Sequence, residues 1–493
     1  LDEFRVFGPP GTGKSTKLAT DYIPDAVDKF GIDNVMVTSF TKAAAAEIAT
    51  KRSRSTGKTI ELPDGHVGTL HSICFNALGS PKIIETEKEV VKAWNELNPT
   101  LEITGRSASG SVDETGDNDD KAVSGATHGD MLFNTIKIRR NRMTPLKFWQ
   151  PDQKIFHEKW TQFKQETETV DFTDLIELAL KKLDRAPGNP EVIFVDEAQD
   201  FTNLQLALIR SWAVTMQYMV LVGDDDQALY TWAGVSSDAL INPPIADDKK
   251  RVLKQSYRVP IAILEHATRM IQRVSIREPK EYMPRIDRKT QQPAQGLVRD
   301  SAGTWQTPEE IVDDVESKIR DGKSCMILAS CSYMLKPTQA VLMDRGIPFE
   351  NRYRRARRDW NPLLRIEAKD GRIDALSMLS AFFGAGQDAS YWTVQQFLTW
   401  AQFLRTGDTG LRRKVGKAGI ETLKKAVESK EQGLYTVREV IGQILTESAA
   451  ERALARDTQW FLDNLKAARK VDRLDYMIKV HRNNGVDALE DPP

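Results

Sequence analysis

Net charge is almost absent: among 493 residues, 69 lysines and arginines face 70 aspartates and glutamates, a formal balance of −1. No overall positive field advertises nucleic acid, so any such binding must use local patches. Cysteine is scarce. The three present, Cys74, Cys325 and Cys331, are not paired at zinc-ligand spacing, which argues against a disulfide framework or structural metal and fits packed thiols in a reducing compartment. No apolar run approaches the roughly 20 residues of a membrane span, and no secretory leader is visible. What is present is a 40% hydrophobic share, enough for several cores, with about three or four domains expected from length.

The most informative stretch is Val6–Thr16, VFGPPGTGKST, a short apolar run feeding a GxxxxGKS loop and then a helix-compatible segment, Lys17–Tyr22. The spacing suits phosphate chemistry. Gly8, Gly11 and Gly13 let backbone N–H groups wrap phosphates, Lys14 reaches the outer ones, and Ser15 places a hydroxyl on Mg²⁺; Thr12 and Thr16 complete the nucleotide-binding set. A Gly/Pro turn before a helix can be purely structural, but here Lys and Ser fill the two chemical positions.

Downstream the text alternates in the βα order of a parallel sheet. Asn34–Ser39 reads as a strand, Phe40–Arg52 as an Ala-rich helix, and Val67–Leu78 as a strand end running into a helix. Gly105–Gly129, rich in Gly, Ser, Asp and Thr, reads as a mobile acidic loop. Lys137–Arg142, KIRRNR, is a basic cluster that is either a solvated helix face or a phosphate-backbone contact. Asp171–Leu183 has helical apolar spacing. Glu191–Asp200, EVIFVDEAQD, is a continuous apolar strand ending in two carboxylates: Asp196 is placed to hold Mg²⁺ and Glu197 to orient and deprotonate an attacking water. A further strand, Tyr218–Gln227, ends in three consecutive aspartates, which repel one another unless a cation or donor cluster lies near. Val252–Pro260 supplies a last strand followed by Tyr257 and Arg258.

Taken in order, GPPGTGKST, SFTKAAAAEI, GTLHS, FVDEAQD, VGDDDQALYTWAG and LKQSYR resemble the UvrD/Rep/PcrA-like DNA helicases of superfamily 1A. The resemblance implies ATP and Mg²⁺ as ligands, with Lys14 on phosphate, Ser15 and Asp196 on the metal, and Glu197 activating water. It implies that Gln227 senses the γ-phosphate, that Tyr257 stacks on adenine, and that Arg258 neutralises γ-phosphate charge. For single-stranded DNA it points to Phe40, Tyr230 and Trp232 as stacking positions, to Thr69 as a backbone contact, and to His71 in the same GTLHS stretch. This chain departs from the family at Trp232-Ala233-Gly234, where the pattern reads WRG, and in having only seven residues before Gly8, too few for the adenine-reading glutamine.

The fold expected from the resemblance is α/β: two RecA-like P-loop domains, parallel sheets flanked by helices, each with a mainly helical insertion. The boundaries are 1–78 and 166–262 for the first motor domain, 79–165 for its insertion, 263–365 for the first part of the second, 366–485 for its insertion, and 486–493 for a return to it. Gly322–Ser332 opens that second domain as a strand, and Arg352–Arg358, RYRRARR, is the densest basic cluster. The family's later TxHxxKGLE-like segment and second arginine motif are not found; with Leu1 as the first residue, truncation is favoured over completion by a partner or degeneration. The activity implied is an ATP-dependent 3′ to 5′ translocase and helicase acting on single strands and strand junctions in the bacterial cytoplasm, bacterial or phage-encoded, with no membrane role. The rivals are a nucleotide-gated DNA-binding adaptor and a motor subunit completed by a partner.

Overall fold

The structure, a computed structural model, describes residues 2–41, 57, 60–105, 126–236, 238–301, 303–351, 360–363, 375–383, 392–428, 437–465 and 471–484. The chain divides into two compact units, residues 1–299 and 300–493.

The first unit is built on six strands: β1 (Glu3–Phe7), β2 (Val35–Ser39), β3 (Val67–Thr69), β4 (Val192–Asp196), β5 (Tyr218–Gly223) and β6 (Lys250–Val252). They lie in the order β3-β2-β4-β5-β1-β6, and every pairing is parallel. Parallel strands are covered on both faces, so their residues are apolar without alternation, yet the pleat still sorts them. Val35, Val37, Val192, Phe194, Val220 and Val222 pack on one side of the sheet. Met36, Ile193, Val195, Met219 and Leu221 pack on the other, against Leu204, Leu208 and Trp212 of the helix Asn203–Ala213. The register pairs Ser39 with Asp196 and Phe7 with Gly223, so the carboxyl ends of the central strands form one rim.

Between β3 and β4 the chain builds a helical body with its own aromatic core, in which Trp94, Trp160 and Phe163 meet edge to face or stacked. Thr127 caps the helix His128–Asn141, so the expected loop Gly105–Gly129 ends in helix; its residues 106–125 lie outside the described residues, as do residues 42–52 of the expected helix after Phe40.

The basic KIRRNR stretch is neither a solvated face nor wholly available to phosphate. Arg140 is buried, with Nη1 2.8 Å from Asp171, Nη2 2.5 Å from Asp174 and Nε 3.0 Å from Glu177. Lys164 joins Asp171 and Asp174, and Trp160 Nε1 donates to Asp171 at 3.2 Å. Asp171 also N-caps the helix Phe172–Lys182 in a capping box with Asp174. The network therefore pins the insertion to the sheet-covering layer at a helix start.

The segment from Ile261 to Arg299 packs with the first unit, whereas the sequence reading ends the first motor half at 262. Ion pairs from Arg277 and Lys280 to Asp224–Asp226 hold it there.

The second unit is helical among its described residues. Phe382 stacks on Phe461 at 4.1 Å, and Trp392, Phe397 and Trp400 are buried beside them; Phe403 packs at the edge. The strand expected at Gly322–Ser332 is absent: the segment has no ladder partner, and Met326 and Leu328 are each 75% exposed. A strand needs a neighbour to satisfy its N–H and C=O groups, and no strand is present among the described residues of this unit. The RYRRARR cluster lies outside the described residues.

Burial alone would raise the Asp171 carboxyl, but Arg140 and Lys164 outweigh it and hold it well below the usual carboxylate range. A depressed folded value stabilises above the unfolded value of about 4 and is lost as pH falls toward the folded one. Hydrogen exchange of the Phe172–Lys182 amides is therefore expected to accelerate as pH falls below about 4, beyond the intrinsic chemical trend. Arg140→Ala is expected to cost about 3–5 kcal/mol of local protection at neutral pH, because it strands buried carboxylates; unchanged protection would show that the network is not what holds the helix.

Candidate nucleotide and nucleic-acid site

The loop after β1 curls because its glycines take conformations other residues resist. Gly11 and Gly13 have φ of +75° and +77°, and a Cβ on Gly11 would sit 2.5 Å from Arg258 Cβ. Thr12 Oγ1 donates to the Pro9 carbonyl at 2.8 Å, closing the turn, and Lys14 Nζ donates to the Gly8 carbonyl at 2.8 Å. The short helix Lys14–Lys17 follows, then a widened π turn, Leu18–Tyr22, then the helix Ile23–Phe30. Where the sequence reads plain helix, Pro24 has no N–H for the Thr20 carbonyl and its ring crowds that group, a reason for the turn to widen. Thr16 lies in the helix beside Ser15.

Across the rim, Ser15 Oγ donates to Asp196 Oδ2 at 2.8 Å. Asp196 is fully buried, and its Oδ1 has no hydrogen-bond partner among the described residues. Burial, then the neighbouring Glu197, push its carboxyl up to about 6 against the pull of Ser15 and Lys14. The same causes, burial and then Glu197, raise Asp200 to about 7. Two hard oxygens, one of them buried without a donor, in a pocket that disfavours uncompensated negative charge fit a bound Mg²⁺.

Glu197 follows β4 with φ +51°, a left-handed conformation that turns its side chain off the strand line; Gln199 Nε2 donates to its Oε2 at 2.9 Å. Gln199 Oε1 accepts from the Asp224 backbone N–H at 2.9 Å, and Asp224 Oδ2 accepts from Gln227 Nε2 at 2.6 Å. A chain of hydrogen bonds thus runs from the end of β4 to the loop after β5. Sequence reasoning singled out Glu197 and Gln227 but not Gln199, the link between them.

Tyr257 and Arg258 reach the loop from beyond β6. Tyr257 N–H donates to the Gly11 carbonyl at 2.8 Å, its ring lies 3.8 Å from where a Gly13 Cβ would stand, and the side chain is 72% exposed. Ser256, unmarked in the sequence, donates its hydroxyl to the Pro10 carbonyl at 3.1 Å and accepts the Arg258 and Val259 N–H groups.

Of the nucleic-acid candidates, Phe40 and Tyr230 are brought together, rings 4.9 Å apart and tilted by 32°. Thr69 N-caps the helix Leu70–Ala77 by accepting from the Ser72 N–H at 3.2 Å, and His71 meets Phe172 edge to face at 5.9 Å. Trp232 lies in the short 3₁₀ turn Thr231–Ala233; its side chain is outside the described residues. That turn is held from the insertion, since Arg142 Nη2 donates to the Thr231 carbonyl at 3.0 Å and Asn141 Nδ2 to the Ala233 carbonyl at 3.3 Å. Among the described residues no cluster of His, Cys, Asp and Glu has metal-binding geometry of its own, and no helix is long and apolar enough to cross a membrane.

Residues 2–242 match the family of the UvrD/REP helicase N-terminal domain. The ATP-dependent DNA helicase PcrA of Staphylococcus epidermidis is 24% identical over 297 residues, 56% of this chain and 38% of that protein. A probable DNA helicase II homolog of Mycoplasma capricolum is 24% identical over 304 residues, 56% of this chain and 40% of that protein. PcrA of Staphylococcus aureus is 23% identical over 297 residues. The chain spans about two fifths of the length of these relatives. With its parallel sheet, glycine-turned phosphate loop and carboxylate-ended β4 in one frame, the stretch from residue 2 to residue 242 is a UvrD/REP helicase N-terminal domain.

Proposed function

We propose that this chain is the nucleotide-hydrolysing part of an ATP-dependent motor on single-stranded DNA, a translocase and helicase. The observation that carries the reading is the rim where Lys14, the bonded pair Ser15 and Asp196, and the chain Glu197–Gln199–Asp224–Gln227 converge. Lys14 would meet the outer phosphates, and Ser15 and Asp196 would hold Mg²⁺, which when bound neutralises phosphate charge and orients the phosphates. Glu197 would accept the proton of the attacking water, Gln227 would orient that water against the terminal phosphate, and Arg258 would spread charge there. The exposed Tyr257 ring over the glycine loop suits a stacked adenine.

For DNA, the half-buried Phe40 and Tyr230 pair, with Thr69, His71 and Trp232, supplies a platform that does not read sequence; a base on an aromatic face is worth roughly 1–3 kcal/mol. Movement 3′ to 5′ and a preference for strand junctions rest on the family resemblance, as does action in the bacterial cytoplasm.

The test is steady-state ATP hydrolysis by the natural full-length protein, with and without single-stranded DNA. DNA-stimulated turnover is expected. Lys14→Ala is expected to lower it on the order of 100-fold or more, the scale of a lost charge-stabilising contact, with DNA affinity largely kept. Full turnover in that variant would overturn the site.

Glu197→Gln is expected to retain nucleotide affinity within about threefold and to lose hydrolysis on the order of 100- to 10,000-fold, as a lost general base should. Loss of binding in step with turnover would remove Glu197 from the base role. Nucleotide-dependent DNA affinity without hydrolysis in the wild type would favour the gated-binding reading instead.

A further inference from the structure

Six residues, Arg277–Tyr282, touch two parts of the rim far apart in sequence. Lys280, with 1% of its side chain exposed, places Nζ 2.8 Å from Asp224 Oδ1 and 3.0 Å from Asp226 Oδ2, and also bonds Asp225. Arg277 grips Asp226 bidentately at 2.9 and 2.7 Å, and the Glu278 N–H donates to Asp225 Oδ2 at 2.7 Å. At the other end the Tyr282 hydroxyl donates to the Pro10 carbonyl in the phosphate loop, the same carbonyl that accepts from Ser256. The strap continues beside Lys254–Ser256, with Met283 N–H donating to Lys254 and Ser256 N–H to Met283 at 2.8 and 2.9 Å.

Asp224 is the pivot. Its Oδ1 takes Lys280, its Oδ2 takes Gln227, and its N–H reaches Gln199 and so Glu197. A carboxylate held by a buried ammonium on one oxygen has its plane fixed, and that plane fixes the amide on the other. The strap is thus a single short covalent piece that touches both the Gln227 loop and the phosphate loop.

We infer that Lys280 is a positioning residue for hydrolysis: through Asp224 it sets the orientation of Gln227, and through its own strap it ties that orientation to the phosphate loop. The inference rests on the motor reading above. It assigns a task to three adjacent carboxylates that would otherwise be a liability. Burial lowers the affinity of Lys280 for its proton but Asp224 and its neighbours more than restore it, so it holds its proton more firmly than a free lysine does.

Removing Lys280 also strands carboxylates, so Lys280→Met is compared with a charge-balanced variant, Lys280→Met with Asp225→Asn, which keeps Asp224 and the Arg277–Asp226 pair. Both are expected to lose kcat on the order of 10- to 100-fold, the cost of a small misplacement, with the KM for ATP within about threefold. The balanced variant is expected to regain the melting temperature but not the turnover. Turnover returning with the melting temperature would overturn the inference and leave Lys280 a charge-balancing residue.

A second readout does not need hydrolysis. Amides of residues 224–228 are expected to gain hydrogen-exchange protection when a non-hydrolysable ATP analogue binds the wild type, and to gain none in the balanced variant. Equal protection in both would overturn the inference. A wild type that neither hydrolyses ATP nor responds to the analogue would bring down the motor reading and the inference together, whereas wild-type turnover with an unaffected balanced variant brings down only the inference.

Discussion

A buried carboxylate is tolerable only where a cation or several donors sit against it, because desolvation costs more than a single contact returns. This protein meets that constraint repeatedly, and the solutions tie its parts together. Glu3, at the start of β1, is held by Arg5 at 2.6 Å and by Arg210 at 3.0 Å, joining the strand to the helix Asn203–Ala213. Asp171 and Asp174 draw Arg140 and Lys164 out of the insertion. Asp224–Asp226 draw in Arg277 and Lys280. Asp196 stands apart. It has a hydroxyl on one oxygen and no partner on the other among the described residues, and burial raises its proton affinity, as it does that of nearby Asp200. The carboxylates of these ion-pair networks are met by cations, while Asp196, suited to a metal, is left with capacity to spare.

How much of this could be read from the sequence depends on the range of the cause. β2, β4 and β5 were legible because parallel strands buried on both faces are largely apolar, and the ends of β1, β4 and β5 because residues no core would choose follow them: Gly8 after Phe7, Asp196 and Glu197, Gly223 and Asp224. The tight turn after β1 was legible because its glycine spacing is local chemistry. The crowding of Asp224–Asp226 announced a nearby cation, but nothing local said which one. Arg277 and Lys280 lie more than fifty positions on in an unremarkable stretch, and only the folded chain brings them back.

The reverse error arose at Lys137–Arg142. Basic density suggests a surface, yet Arg140 is among the buried residues because its partners, Asp171, Asp174 and Glu177, are spaced along one face of another helix. At Gly322–Ser332 local composition suggests a strand, but composition does not supply the pairing. A ladder is a property of two strands, and a single segment carries only half of it.

The remainder of that basic stretch bears on the departure at Trp232-Ala233-Gly234. Ala233 removes a cation from the turn, but the turn is not left to itself. Arg142 and Asn141, at the end of the helix His128–Asn141, donate to the carbonyls of Thr231 and Ala233, one on each side of Trp232. Gly234 makes the approach possible: it has φ +101°, and a Cβ there would stand 2.9 Å from Asn141 Cβ. The same helix end carries Arg140 into the buried network. One turn of helix therefore anchors the insertion with its middle residue and braces the Trp232 turn with the next two, so displacement of the insertion and displacement of that turn are mechanically one event. Tyr230, in tilted contact with Phe40 at the foot of the turn, shares the constraint, and the aromatic pair is positioned as much by the insertion as by the sheet that carries it.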